Sequence, residues 1–298
     1  MKKEVLDNYK KAGKINRECL EFGKTAIKPG VKVIDIVRQI EEKILKSGAG
    51  FAFPVNVSFN EIAAHDTADI GDTRVFSEGD LVKLDVGVQI DGYIADAAVT
   101  ISLNSGKEEL YQTAKKALTE GLRMMKPGTP VPDVSQAIEQ TIRNAGFNPI
   151  INLTGHGLDQ YQLHSRIEFP NVRTDIDYVL EEGDVFALEP FVTDGSGKVT
   201  DTEKTLIYMF VSDRPTRFPE SRNILELAGN DFHGLPFTKR WVAQKVRISP
   251  VKLRLVLKQL EQINSLYAYP ALKEVSGSYV AQAENTVVVG DNPTITTA

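Results

Sequence analysis

The strongest constraint on this 298-residue chain is that its parts recur in order. Glu78-Gly79-Asp80-Leu81-Val82-Lys83-Leu84-Asp85 is restated as Glu182-Gly183-Asp184-Val185-Phe186-Ala187-Leu188-Glu189. Lys28-Pro29-Gly30 returns as Lys126-Pro127-Gly128. The segment that opens at Val33-Ile34-Asp35-Ile36 and stops at Gly48 returns as one that opens at Val131-Pro132-Asp133-Val134 and stops at Gly146. Two unrelated α+β segments could share turn words by chance, but three motifs in one order indicate a duplicated helix–helix–strand–hairpin unit. Duplication predicts two halves packed about a pseudo-two-fold axis, with Asp85 and Glu189 in matched positions near it.

Within the first copy, Leu81 to Val88 is apolar and β-branched, as a strand buried on at least one face requires. Asp91-Gly92 is a strong signal for a type I′ turn, which needs positive φ at both central residues. A two-residue loop there pairs Ile90 with Tyr93 and Asp85 with Ala98. Asp96 then emerges on the same face as Asp85, a diagonal neighbour roughly 7–8 Å away at Cα. On an arbitrary hairpin both aspartates would face solvent. Here Ala95, Ala97, Ala98 and Val99 leave no polar face for Asp96 to join, so a cation between the carboxylates is the more economical partner.

Lys3 to Ala26 is an amphipathic helix with Leu6, Tyr9, Ile15, Leu20 and Phe22 on its apolar face, and Val33 to Lys46 is a second. Phe51 to Phe59 reads as a strand, followed by a polar connection, Asn60 to Thr73, that contains His65. Helices are expected over Lys107 to Met125 and from Val131 to Gly146, with a strand over Phe147 to Thr154. Pro190 to Lys204 reads as a loop and Thr205 to Val211 as a strand. From Arg214 to about Gln262 the chain turns helical, an inserted subdomain placed at residues 212–268 of one domain spanning 1–298. The sheet is expected to resume at Gly277 and to close at Val287–Val289, with Glu284 among apolar and small residues, and the tail from Asp291 to Ala298 reads as partly disordered.

Composition narrows the function classes. A net charge of −5 argues against a general nucleic-acid binder. Cys19 is the only cysteine, which rules out an intrachain disulfide and a CxxC metal site and fits a reducing cytoplasm. No apolar run approaches the roughly 18–20 residues that span a membrane. The amino-terminal segment lacks the apolar centre of a signal peptide.

Of four histidines, His156 stands between Gly155 and Gly157 at the end of the second-half strand, where the glycines allow close approach. Histidines in loops are ordinarily plain surface or core residues, and His233 is read as structural. Joined to Asp85, Asp96, Glu189 and Glu284, however, His156 completes a set of four carboxylates and one imidazole. That set suits Mn, Fe, Co or Zn. It is too large for one tetrahedral zinc, so two ions about 3.5–4 Å apart are expected.

The ordered set Asp85, Asp96, His156, Glu189 and Glu284 resembles that of the pita-bread peptidases: methionine aminopeptidases, aminopeptidase P and prolidase. The segments AFPVNVSFNEIAAH, LDVGVQIDGYIADAAVT, GHGLDQYQLH, LEPF and SYVAQAEN are similar to the methionine aminopeptidase pattern, and the resemblance covers nearly the whole chain. The helical insertion before Glu284 resembles type II enzymes, and the short amino terminus resembles archaeal members. The resemblance implies an α+β fold of two pseudo-two-fold-related halves around a curved antiparallel sheet. It implies excision of the initiator methionine from nascent polypeptides, near the ribosome; composition points to a cytoplasmic protein without DNA or membrane partners, and a monomer is the default expectation. Asp85 would bind one of two divalent ions (Co, Mn, Fe or Zn), Asp96 and Glu284 would bridge, and His156 and Glu189 would complete the other. A bridging water or hydroxide would be the nucleophile, with Glu189 as proton acceptor. His164 would donate to the scissile carbonyl and His65 would contact the scissile peptide. Phe53, Leu163 and Tyr269 would line the methionine pocket.

The chain departs from the family pattern where Ala283 and Asn285 flank Glu284 and where Asp66 follows His65. Neither departure removes a ligand. They bear on packing behind Glu284 and on charge beside the cleft. Two other readings stand beside the first. A proline-directed peptidase of the same fold generally carries an added amino-terminal domain. A non-catalytic binding module would lack the ligand set, which is present here.

Overall fold

The computed structural model describes residues 1–216 and 218–298. The first half runs α1 (Lys3–Ala26), α2 (Val33–Lys46), β1 (Gly50–Phe51), β2 (Asn56–Phe59), β3 (Ile62–Ala64), β4 (Leu81–Ile90) and β5 (Tyr93–Ser102). The second runs α3 (Glu108–Arg123), α4 (Val131–Asn144), β6 (Asn148–Pro149), β7 (Thr154–Asp159), β8 (Gln162–Pro170), β9 (Val185–Leu188) and β10 (Phe191–Thr193). Then come β11 (Val199–Phe210), α5 (Pro219–Glu226), a π-helical turn (Leu227–Asp231), β12 (Phe237–Thr238), α6 (Lys239–Lys245) and α7 (Pro250–Gln262). The chain closes with β13 (Leu266–Glu274), β14 (Val280–Gln282), β15 (Asn285–Val288) and β16 (Thr294–Ile295). All pairings between these strands are antiparallel.

The helices follow their apolar spacing. Val37, Ile40 and Ile44 of α2 are fully buried in one cluster with Val55, just before β2, and with Val57 and Val86 of the neighbouring strands. The β4–β5 hairpin turns at Asp91 (φ 50°) and Gly92 (φ 84°), with Ile90 opposite Tyr93 and Asp85 opposite Ala98. Positive φ at both turn residues is what the right-handed twist of the strands demands, and it sets the register.

The repeat is a repeat of hydrogen bonds as well as of residues. Gly30 and Gly128 both sit at φ 86° and donate at 2.8 Å to the carbonyls of Phe76 and Leu180. The N–H groups of Gly79 and Gly183 bind the carbonyls of Leu103 and Val289. Asp80 and Asp184 each accept at 2.8 Å from a backbone N–H three residues back, at Ser77 and Glu181. The ladders match in turn: Val82 faces Ile101 as Phe186 faces Val287, and Leu84 faces Val99 as Leu188 faces Asn285. Continuing the pattern, Gly87 faces Asp96 as Phe191 faces Gln282. Asp85 therefore corresponds to Glu189, while Asp96 corresponds to Gln282. Pro190, which has no N–H for the ladder, separates β9 from β10 where β4 runs uninterrupted.

The structure departs from the local sequence pattern at several points. The strand expected over Phe51–Phe59 is two short strands, β1 and β2, and the polar connection after it contains β3, which ends one residue before His65. The strand expected over Phe147–Thr154 is only β6 and the first residue of β7. Pro190–Lys204 is not a loop: Phe191–Thr193 is a strand and β11 begins at Val199, because pairing with β14 and β13 supplies partners that no local pattern announces. Arg217, within the span expected to be helical, lies outside the described residues. The tail is not disordered. Ile295 pairs with Val287, Thr296 and Thr297 are buried, and Thr296 lies so close to Gly13 of α1 that a side chain there would meet its carbonyl.

Helices α5–α7 share an apolar cluster in which Ile224, Phe237, Trp241, Leu257 and Leu260 are buried. They are fastened to α2 by Glu41, whose carboxylate accepts from Arg240 Nη1 at 2.9 Å, Arg240 Nη2 at 2.5 Å and Trp241 Nε1 at 2.8 Å.

Candidate metal centre and active site

The β4–β5 hairpin delivers Asp85 and Asp96 to one face, β7 delivers His156, Glu189 directly follows β9, and Glu284 directly precedes β15. All five line a single cleft with about 500 Å³ of open space. His156 Nε2 lies 3.6 Å from Asp96 Oδ2 and 3.7 Å from Glu189 Oε1, too far to hydrogen-bond and close enough to share a cation. Asp96, His156 and Glu284 offer ligand atoms within 4.8 Å of one another.

No lysine or arginine is among the described residues that line the cleft. Burial raises the Asp85 carboxyl to about 7. It pushes Asp96, Glu189 and Glu284 well above the carboxylate range, with the neighbouring acids adding to the rise. His156 is driven well below the usual imidazole value by burial, helped by His164, so its ring is neutral and able to ligate. Asp85 Oδ1 and Asp96 Oδ1 are buried without a hydrogen-bond partner. A cluster of acids that resists ionisation, with orphaned oxygens and a neutral imidazole, fits divalent metal ions: a cation reverses the penalty and uses the free lone pairs.

The other expected site residues also line the cleft: Phe53, His65, Leu163, His164 and Tyr269. The ring of His65 meets Tyr269 edge-on at 5.2 Å, and that of His164 meets His156 at 4.3 Å. Burial lowers His65 to about 4 and lowers His164 as well, so both are neutral N–H donors at pH 7. His65 adopts φ 63°, a conformation that a non-glycine residue holds only when its surroundings enforce it. The next residue, Asp66, is tied down on its far side. Its buried carboxylate takes Arg74 Nη1 at 2.7 Å and Lys204 Nζ at 2.6 Å, so its charge is compensated beside the cleft. Ala283 is buried within an apolar cluster, and Asn285 Oδ1 accepts from Thr297 Oγ1 at 2.7 Å. His233 stands outside the cleft, its ring 4.8 Å from Tyr161.

Five further residues line the cleft: Asn56, Ala64, Ile207, Pro236 and Gln282. The strand period could have found two of them. Gln282 lies two positions before Glu284, and Asn56 faces Asp85 across the β2–β4 ladder. Ile207 and Pro236 arrive through long-range packing and carry no local signal.

A sequence model of metallopeptidase family M24 matches residues 7–291. The chain is 46% identical over 280 residues to a methionine aminopeptidase of Thermococcus kodakarensis, with 94% of each chain covered. It is similar to the crystal structure of a methionine aminopeptidase from Thermotoga maritima, with a TM-score of 0.73 and 25% identity over 100% of this chain and 98% of that one. A thermophilic Arx1 shares the fold with a TM-score of 0.87 at 20% identity, over 99% of this chain and 91% of that one.

Proposed function

The chain belongs to metallopeptidase family M24 and, within it, to the methionine aminopeptidases, with their pita-bread fold, and from that premise we propose that it removes the initiator methionine from new polypeptides. Its substrate is an amino-terminal methionine followed by a small residue, met near the ribosome, and it acts as a cytoplasmic monomer. The span 212–268 would be an insertion within one catalytic domain of residues 1–298, although its last three residues, Leu266–Ala268, already belong to β13 and pair with β11. The observation that carries this reading is the convergence of Asp85, Asp96, His156, Glu189 and Glu284 with two neutral histidines and an apolar wall in one cleft.

Two divalent ions, of Mn, Fe, Co or Zn, would be held by Asp85, Asp96, Glu284, His156 and Glu189, the last two near enough at 3.7 Å to share one ion. When bound, the ions supply Lewis acidity that makes a water nucleophilic at neutral pH and polarises the scissile carbonyl. Glu189 takes up the proton lost by the attacking water. His164 donates a hydrogen bond to the carbonyl oxygen as negative charge develops there. His65 contacts the scissile peptide and helps pass the proton to the leaving amine. Phe53, Leu163, Ile207 and Tyr269 form the apolar wall, which suits a flexible, polarisable thioether.

The test is hydrolysis of Met-Ala-Ser and Ala-Pro-Ser by metal-stripped protein refilled with each ion in turn. Metal-dependent release of methionine alone is the expected result. Cleavage before proline would move the assignment to a prolidase-like enzyme, and no cleavage with any ion by folded protein would leave a binding module. His164→Ala should keep its metal content and lose turnover.

A further inference from the structure

The duplicated fold sets one residue against Asp96 that the ligand set does not include. In the matched ladders Gln282 occupies the position that Asp96 occupies in the other half. Each backbone is clasped by a threonine from the opposite half. Thr286 Oγ1 accepts from the Asp96 N–H and donates to the Asp96 carbonyl, both at 2.8 Å. Thr100 Oγ1 accepts from the Gln282 N–H at 2.9 Å and donates to its carbonyl at 2.6 Å. The pseudo-two-fold therefore holds a neutral amide, as firmly as it holds the carboxylate, at the mirror position of the centre.

The side chain of Gln282 is aimed at the acids. It is 2% exposed, and Nε2 donates to Glu189 Oε2 at 3.2 Å and to Glu284 Oε2 at 3.3 Å. A primary amide has two N–H groups, one for each carboxylate. Among the described residues no other side chain donates a hydrogen bond to either. The contact engages Oε2 of Glu189 and leaves Oε1 turned toward His156 Nε2, 3.7 Å away. A carboxylate at position 282 would add like charge and a competing anionic ligand, whereas the amide orients both glutamates and adds neither.

We propose that Gln282 is a positioning residue for the metal centre, acting chiefly on the ion held by His156 and Glu189 by fixing the two glutamates with its paired N–H donors. This rests on the dinuclear reading above. The experiment is calorimetric titration of Mn(II) into metal-free wild-type protein and Gln282→Met, a variant of similar size without donors. Loss of an outer hydrogen-bond partner should weaken one binding step about 10–100-fold and the other markedly less, with the metal-free melting temperature serving as the control for folding. If Gln282→Met does not fold, Gln282→Asn, whose shorter amide cannot reach both glutamates, should give the same unequal loss. Affinities unchanged at both steps would overturn the proposal. So would equal loss at both, which is the mark of a general loosening of the sheet. Wild-type protein that binds no Mn(II) would overturn the metal reading itself, a separate result.

Discussion

The tie between α2 and the inserted helices makes a quantitative prediction. Glu41 and Arg240 are 7% and 4% exposed, and the carboxylate accepts three hydrogen bonds, two from the guanidinium and one from Trp241. Glu41→Ala leaves the guanidinium buried without its counter-charge, a change that costs about 3–5 kcal/mol. An unfolding entropy of about 2.1 cal/mol/K per residue, over 298 residues, converts that loss to a fall in Tm of about 5–8 °C. The effect should reach the cleft. Leu235 packs in a cluster with Phe53, and neighbouring Pro236 lines the pocket just ahead of α6. KM for methionyl peptides should therefore rise while Mn(II) affinity stays at the wild-type value. Replacing both partners with apolar residues, as in Glu41→Met with Arg240→Leu, removes the uncompensated charge and should recover most of the stability. The assays are thermal and urea melts of the metal-loaded protein with steady-state kinetics. A single Glu41→Ala variant that loses less than about 1 kcal/mol would refute the reasoning, because a buried charge without its partner cannot be that cheap.

Three further outcomes are expected. In metal-free protein the Asp85 carboxyl sits near 7, above its unfolded value, so its stabilising contribution is complete below about pH 4 and is lost as pH rises through about 7. EDTA-treated protein should melt lower at pH 8 than at pH 5.5, and saturating Mn(II) should shrink that difference; a higher melt at pH 8 without metal would contradict the sign. Gly87→Ala would place a methyl 2.3 Å from Phe53 Cε1, so the ring must shift at a cost of about 1–3 kcal/mol. KM should rise without loss of metal affinity, and unchanged kinetics would show that Phe53 is not a wall of the methionine pocket. Deleting Thr296–Ala298 removes the Thr297 hydroxyl that accepts from Thr286 N–H at 3.0 Å and donates to Asn285, so the metal-free protein should lose about 2–4 kcal/mol, read from its urea melt. An unchanged melt would mean that the tail only covers the sheet.

What the sequence determined by itself was local or repeated. The Asp91-Gly92 turn sets the register of a hairpin because positive φ at two residues admits few alternatives, and with the register comes the shared face of Asp85 and Asp96. Apolar spacing fixed α1 and α2, since one face of each must be covered. The recurrence of Glu-Gly-Asp carried Glu189 onto Asp85 before any contact was known. The tertiary structure decided what depends on partners distant in the chain. Phe191–Thr193 is a strand because β14 lies beside it, and the tail is ordered because α1 receives it. Asp66 is harmless beside His65 because Lys204, from the other half, reaches it. Gln282 became visible as the counterpart of Asp96 only when the two ladders could be laid over each other. Short-range sterics write the elements into the sequence, whereas burial at a pseudo-two-fold axis is a property of surfaces that meet only after folding.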